Sequence, residues 1–193
     1  MEKRKNGKYT ENKRAGEKAN GKKEAYEWIQ SMMTALILCV VVFLFLVRVI
    51  DVSGDSMNPN LYDGDKMLVS GLFYRPKAGD VVIFKKDEYD PDKALVKRII
   101  ATEGQVVNID FDHGVVYVDG EPLDEPYVND LTYNKEDFIG PQTVPKGCVF
   151  VMGDNRNAST DSRDKRISMV NERLIVGRAF LVIYPIGEIR WIH

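Results

Sequence analysis

Apolar positions fall into two regimes along this chain. Between Ile29 and Ile50 they run together (IQSMMTALILCVVVFLFLVRVI), with no charged residue from Ala35 to Val47. A bilayer's hydrocarbon core is about 30 Å thick and takes roughly 20 mostly apolar helical residues, so this run predicts a single transmembrane helix over residues 28–50. After Asp51 the apolar residues come instead in short runs rich in Val, Ile, Phe and Tyr, separated by turn signals. Strands are expected over Lys66–Phe73, Val81–Phe84, Leu95–Thr102, Val106–Phe111, Val115–Val118, Val149–Met152, Leu174–Ile183 and Ile189–Ile192. No helical period of comparable length and no internal repeat follows the apolar run. The expected fold is therefore mainly β, a domain over 51–193 built of antiparallel sheets closed or packed on each other. Residues 121–147, with Pro122, Pro126, Pro141 and Pro145, carry no clear strand pattern and are expected to form a long loop.

Charge fixes the direction of the apolar run. Residues 1–27 hold nine Lys/Arg against five Glu, a balance of +4, which leaves −6 to the rest of a 193-residue chain whose net charge is −2. This basic tail, with almost nothing apolar, is expected to be disordered and suits anionic headgroups. It precedes the apolar run, so the positive-inside rule places the N-terminus in the cytoplasm and the β domain outside, single-pass in the plasma membrane. Trp28 stands where an interfacial aromatic would, and Arg48 can extend its charge to the opposite interface. A cleaved signal peptide has an apolar region of about 7–15 residues and a small-residue cleavage site; this run is longer, and Ile50-Asp51-Val52-Ser53-Gly54 is a poor site. The acidic domain offers no basic face for nucleic acid. A composition of 44% hydrophobic and 29% charged residues is that of a folded domain.

Several chemistries find no support in the spacing. Cys39 lies in the apolar run and Cys148 in the domain, so no disulfide is expected. Cys148 precedes Val149-Phe150-Val151-Met152 and reads as an inert buried thiol rather than the partner of His113. His113, in an Asp-His-Gly turn, and His193 read as solvated. No group of His, Cys and carboxylates has metal-ligand spacing, and no Gly-rich phosphate loop is present, so no cofactor is expected.

Hydrolysis of an amide needs a nucleophile, a base and donors for the oxyanion. Ser56 lies eight residues past Arg48, within roughly 28 Å of that end even if fully extended, so chemistry there takes place near the membrane surface. Among the lysines Lys97 differs, because it sits inside Leu95-Val96-Lys97-Arg98-Ile99-Ile100-Ala101. Period-2 alternation gives it one face with Leu95, Ile99 and Ala101, and gives Arg98 the other with Val96 and Ile100. A lysine on an apolar face loses proton affinity and can take the proton of a serine. The run is equally compatible with an edge-strand lysine reaching water. The third cluster is Gly153-Asp154-Asn155-Arg156-Asn157-Ala158-Ser159-Thr160-Asp161-Ser162-Arg163. Read as an extended segment, it turns Ser159, Asp161 and Arg163 to one side, where a hydroxyl can orient an amine and an Asp–Arg pair can brace it.

With these pieces in order behind an apolar run, the chain resembles the bacterial type I signal peptidases of the S26 family, in their small Gram-positive-like form. The motifs carrying the resemblance are Gly54-Asp55-Ser56-Met57-Asn58-Pro59, Gly79-Asp80-Val81-Val82-Ile83-Phe84, Lys97-Arg98-Ile99-Ile100-Ala101 with Gly104, and Gly153-Asp154-Asn155-Arg156 leading to Ser159, Asp161 and Arg163. The resemblance implies a membrane-bound serine endopeptidase that removes signal peptides from exported preproteins after small residues, Ala-x-Ala-like, near the secretion translocon. It makes Ser56 the nucleophile and Lys97 the general base. Ser159 becomes the hydroxyl that orients the lysine and Asp161 with Arg163 its support, with Asp154 and Arg156 shaping the same wall. Gly54, Asp55, Met57 and Pro59 are left beside the oxyanion and substrate. Two positions depart from the family pattern. Gly54 stands where some relatives carry an oxyanion-binding serine, leaving the backbone N–H of Ser56 for that role, and Asn60 stands where Thr is usual. Phe73, Tyr74 and Trp191 are candidates for the membrane interface or for the core. An inactive β domain that binds preproteins lacks the Ser or the Lys; a self-cleaving repressor-type Ser–Lys protease lacks the long apolar run.

Overall fold

A computed structural model of the chain describes residues 23–24, 26–41, 46–86, 89–90 and 93–192. The basic tail over 1–22 and His193 lie outside the described residues. The chain divides into two units, Met1–Phe45 and Leu46–His193.

In the first unit, residues 26–41 are helical, and Ile29, Met32, Met33, Leu36, Ile37, Leu38, Val40 and Val41 are all exposed. Among the described residues no helix is long and apolar enough to cross a membrane. The helix expected over 28–50 is corrected at its end: residues 42–45 lie outside the described residues, and residues 47–50 are not helical. Val47–Asp51 is instead strand β1, paired residue for residue with β2 (Lys66–Ser70), Val47 opposite Ser70 and Asp51 opposite Lys66. The physical reason is local. Val-Arg-Val-Ile-Asp alternates and is β-branched, a pattern that favours an edge strand, but it adjoins an apolar run and hydropathy alone does not separate the two.

The second unit is mainly antiparallel β, as the short apolar runs predict. Beyond β2 come β3 (Val81–Lys85), β4 (Ala94–Thr102), β5 (Val106–Asp110), β6 (Val115–Val118), β7 (Glu121–Pro122), β8 (Gln142–Thr143), β9 (Cys148–Met152), β10 (Val170–Asn171), β11 (Ile175–Tyr184) and β12 (Arg190–Trp191). One sheet runs β1-β2-β11-β3-β4-β9-β10, with β12 on β11, and the other runs β7-β6-β5-β8. Strand β3, an unbroken Val-Val-Ile-Phe, is central and buried on both faces: Val81 and Ile83 join one cluster with Met57, Leu61, Met67 and Val69, while Val82 and Phe84 join another with Ile99, Val149 and Val151. The smaller sheet closes on the larger through Val107, Ile109 and Val116 against Phe150 and Met152. Phe138, from the stretch between β7 and β8, stacks edge-on against both Phe111 and Phe150 at 5.9 Å; such pairs add about 0.5–1.5 kcal/mol beyond the area they bury.

Two features of this core place chemistry. Val82 of β3 pairs with Lys97 of β4, and Val81 with Arg98, so the two cations point to opposite faces at the centre of the sheet. Further along, the β4–β9 register shifts between Ile99 and Ala101, and Ala101 packs with Ile100 in the cluster under the smaller sheet. The strict alternation expected from Leu95 to Ala101 therefore ends at Ile99.

Candidate active site

Ser56 sits in a turn that follows β1, and the chain around it is tied down at both ends. Gly54 has φ = +85°, the left-handed region that glycine enters without a Cβ penalty, and its N–H donates to Asp63 Oδ1 at 2.7 Å. Asn58 N–H donates to Asp55 O, and Asn60 and Leu61 N–H donate to Met57 O. Met57 is buried in the first cluster, which anchors the turn from below. Across the cleft Asn155 N–H donates to Ser56 O at 3.0 Å, and Asn155 Nδ2 to Asp55 O at 3.1 Å. Gly153 lies between Ser56 and Ser159 so tightly that a Cβ there would come 2.2 Å from Ser159 Oγ and 2.4 Å from Ser56 O. Only glycine fits.

The two halves meet at one contact: Lys97 Nζ lies 2.6 Å from Ser56 Oγ. Lys97 is buried, and desolvation brings its pKa down from 10.5 to about 8. Arg163 pushes in the same direction, while Asp161, Asp154 and Glu136 oppose it. The edge-strand alternative for this lysine does not hold, since β4 lies between β3 and β9.

Behind this pair stands the 153–163 wall. Asp161 is fully buried and accepts from Gly153 N–H at 3.0 Å, Ser159 Oγ at 2.9 Å, and Arg163 Nε and Nη2 at 2.8 Å each. Ser159 therefore spends its proton on Asp161, and among the described residues Lys97 makes its hydrogen bond to Ser56 rather than to Ser159. Arg163 also donates to Arg156 O at 2.6 Å and Asn134 O at 2.7 Å. Arg156 donates to Gly153 O and Thr132 Oγ1 at 3.1 Å each and meets Glu125 Oε1 at 2.5 Å.

Asp154 faces the other way. Arg98 holds it through Nε and Nη2 at 2.8 and 2.7 Å, donates to Gly79 O at 2.8 Å, and lies under the Tyr127 ring at 4.1 Å. Asn60 completes this side, its Nδ2 donating to Asp154 Oδ2 at 2.8 Å and Tyr127 O at 2.6 Å. Both N–H donors of the Asn60 amide are thus used.

All the predicted residues from Gly54 to Pro59, Lys97 and the 153–163 set belong to this one neighbourhood. Arg98, Asn155 and Asn60, which the motifs contain or adjoin without a role, also belong to it, as do Glu125, Tyr127 and Thr132, which nothing in the spacing singled out. The last three come from the 121–147 stretch and meet the wall only after folding. His113 is remote from this chemistry, exposed on the β5–β6 turn beside Asp110, which raises its pKa. Cys148 is a free thiol packed at the second cluster. Phe73 is 93% exposed and Trp191 65%, whereas Tyr74 packs on the core and donates to Asp80 Oδ2 at 2.7 Å.

Comparison with known proteins decides the family. Residues 25–184 match the family described as signal peptidase, peptidase S26. The chain belongs to the signal peptidase family. Among curated relatives, signal peptidase I of Bacillus licheniformis is 34% identical over 90% of this chain and 97% of its own length. A probable signal peptidase I-1 of Synechocystis is 36% identical over 86% of this chain and 84% of its own. A solved structure of a signal peptidase I from Enterococcus faecalis is 27% identical, covers 54% of this chain and 97% of that one, and has a TM-score of 0.42. The S26 signal peptidases are serine peptidases, so the chain is a hydrolase.

Proposed function

We propose that this S26 peptidase removes signal peptides from exported preproteins by a Ser56–Lys97 dyad. The observation that carries the reading is the 2.6 Å approach of a buried lysine amine to a serine hydroxyl. Lys97, once neutral, takes the proton of Ser56 as Oγ bonds to the scissile carbonyl carbon. The oxyanion that forms is met by the backbone N–H of Ser56, because Gly54 brings no side-chain donor. Lys97 then hands its proton to the leaving amine as the C–N bond breaks, and the same amine takes a proton from the water that hydrolyses the ester on Ser56. Asp161, braced by Arg163, holds Ser159 and Gly153 against the nucleophile. Cleavage follows small residues of the Ala-x-Ala kind.

The reading includes a membrane location. It is supported by the apolar run and by the 26–41 helix, where Ile29, Met32, Met33, Leu36, Ile37, Leu38, Val40 and Val41 are all exposed, apolar surface that belongs in a core or a bilayer. The relatives carry the name signal peptidase, and signal peptides are assigned here as the substrate.

The test is cleavage of a preprotein with an Ala-x-Ala site by the detergent-solubilised full chain, beside its Ser56→Ala and Lys97→Met variants. Cleavage by the wild type alone is expected. Cleavage by either variant at the wild-type rate overturns the dyad, and a folded but inert wild type overturns the function.

A further inference from the structure

Ser56 and Lys97 are held in place by different means. Lys97 is fixed by its strand, since β4 lies between β3 and β9. Ser56 lies in no strand, so the position of its turn is set by the bonds made to it from elsewhere. Asn155 N–H holds the front of the turn at Ser56 O. Behind Ser56 the chain coils once, with Asn60 and Leu61 N–H both donating to Met57 O. The Asn60 carbonyl, at the C-terminal end of that single coil, takes its partner from outside it.

Arg190 of β12 is that partner. Its Nη2 and Nε donate to Asn60 O at 3.0 and 3.3 Å, and Nη2 also meets Asp65 Oδ2 at 2.5 Å. Asp65 is buried, and the same oxygen accepts from Tyr62 N–H at 3.0 Å. Guanidinium and carboxylate together close the end of the coil, where a cation is favoured. Nη1 is steadied by Glu188 O at 3.2 Å. Strand β12 pairs with β11, Arg190 opposite Val182 and Trp191 opposite Leu181. Its alternation leaves Trp191 exposed and puts Arg190 and Ile192 on the other face. Ile192 joins the cluster that holds Met57 and Leu61, so β12 meets the coil with an apolar side chain as well as with a cation. A guanidinium that only neutralised Asp65 would not need the Asn60 carbonyl. That bond falls four residues after Ser56, on the residue whose side chain already spans Asp154 and Tyr127 O.

We propose that Arg190 is a positioning residue of the dyad: by holding the carbonyl of Asn60 it keeps the Ser56 turn seated against β4, with Oγ at the Lys97 amine. This rests on the Ser56–Lys97 reading above. Small displacements of a nucleophile from its base cost rate rather than substrate binding, so the effect belongs in kcat.

The experiment measures kcat and KM for the full chain in detergent on an Ala-x-Ala preprotein, with Arg190→Met alone and combined with Asp65→Asn. The double variant strands no buried carboxylate and keeps an oxygen for Tyr62 N–H, which guards against a loss of fold. Both variants are expected to lower kcat about 10- to 100-fold while KM stays within about twofold of the wild type. A wild-type kcat in the double variant, or a loss confined to KM, overturns the proposal and leaves Arg190 the ion-pair partner of Asp65. Amide hydrogen exchange supplies a readout that needs no cleavage. In the double variant the Asn60 and Leu61 amides should exchange at least about tenfold faster, with those of Val82, Ile83 and Phe84 in β3 unchanged. Unchanged rates at Asn60 and Leu61, or an equal rise in β3, overturn the proposal. If the wild type does not cleave, the dyad reading fails separately, and the exchange rates decide whether Arg190 holds the turn.

Discussion

The two faces of β4 treat adjacent buried cations in opposite ways. Arg98 finds a bidentate carboxylate in Asp154, a carbonyl in Gly79 and the ring of Tyr127. Lys97, one residue earlier, finds a serine hydroxyl at 2.6 Å. The carboxylate nearest in role, Asp161, is already engaged by Arg163, Ser159 and Gly153. A buried charge with a full set of partners is locked in its ionised form and serves as structure. A buried amine whose carboxylate is diverted elsewhere keeps a low proton affinity and becomes available as a base. On the proposed dyad, the fold makes reactivity here by withholding an ion pair.

The sharpest way to break this comparison is to make the same substitution at both positions. Lys97→Met is expected to lower kcat/KM by at least ~10⁴-fold, as is Ser56→Ala, while the unfolding midpoint in urea stays equal or rises. Arg98→Met instead strands the buried carboxylate of Asp154, and its largest effect is a loss of about 3–5 kcal/mol in the same urea titration. Equal stability losses at 97 and 98 would mean that Lys97 is as well compensated as Arg98, and the comparison would fail.

A second prediction uses the pH dependence of stability. The pKa of Lys97 is about 8 in the folded chain, against an ordinary value of 10.5. Between those two values the unfolded chain carries the proton and the folded chain does not, so raising the pH favours folding. Below the lower value both states are protonated and the contribution is constant. The wild type should therefore gain stability from pH 8 toward 10.5 relative to Lys97→Met, read as a difference in urea midpoints that moves in the wild type's favour. Parallel curves for the two proteins would show that the lysine is not desolvated.

How much of this was legible follows the range of the interactions. The central strands were, because Val81–Phe84 and Val149–Met152 are short, apolar and bounded by turns. Lys97 was, because its apolar neighbours make it anomalous in its own strand. Strand β1 was not, since its Val-Arg-Val-Ile merges with the apolar run before it. The partners of Arg98 and Arg156 were not either. Glu125, Tyr127 and Thr132 sit in a Pro-rich stretch with no period, and they reach the wall across 24 or more residues of sequence (Thr132 to Arg156 being the shortest such link). Hydrophobic periodicity reports which face is buried; it carries nothing about which loop carboxylate will meet a buried guanidinium.

Asn60→Ala sharpens the picture on the Arg98 side at smaller scale. It removes donors to Asp154 and to Tyr127 O, and a loss of about 1–3 kcal/mol in stability is expected. Wild-type stability in this variant would show that Arg98 alone suffices to hold Asp154.

The smallest expected effect is at Gly54, on the Lys97 side, where the family resemblance implies a serine in some relatives. No atom lies within 4 Å of where a Cβ would stand, so space does not exclude the side chain. The backbone does oppose it, since φ = +85° costs an L-residue roughly 1–2 kcal/mol. Gly54→Ser should therefore lower stability by about that amount. What it does to kcat tells how the oxyanion is held. If the backbone N–H of Ser56 is the working donor, a hydroxyl added on a strained backbone leaves kcat unchanged or reduces it. A rise in kcat of tenfold or more would show that the native site runs short of a donor, and that glycine here trades catalytic power for an unstrained turn fastened to Asp63.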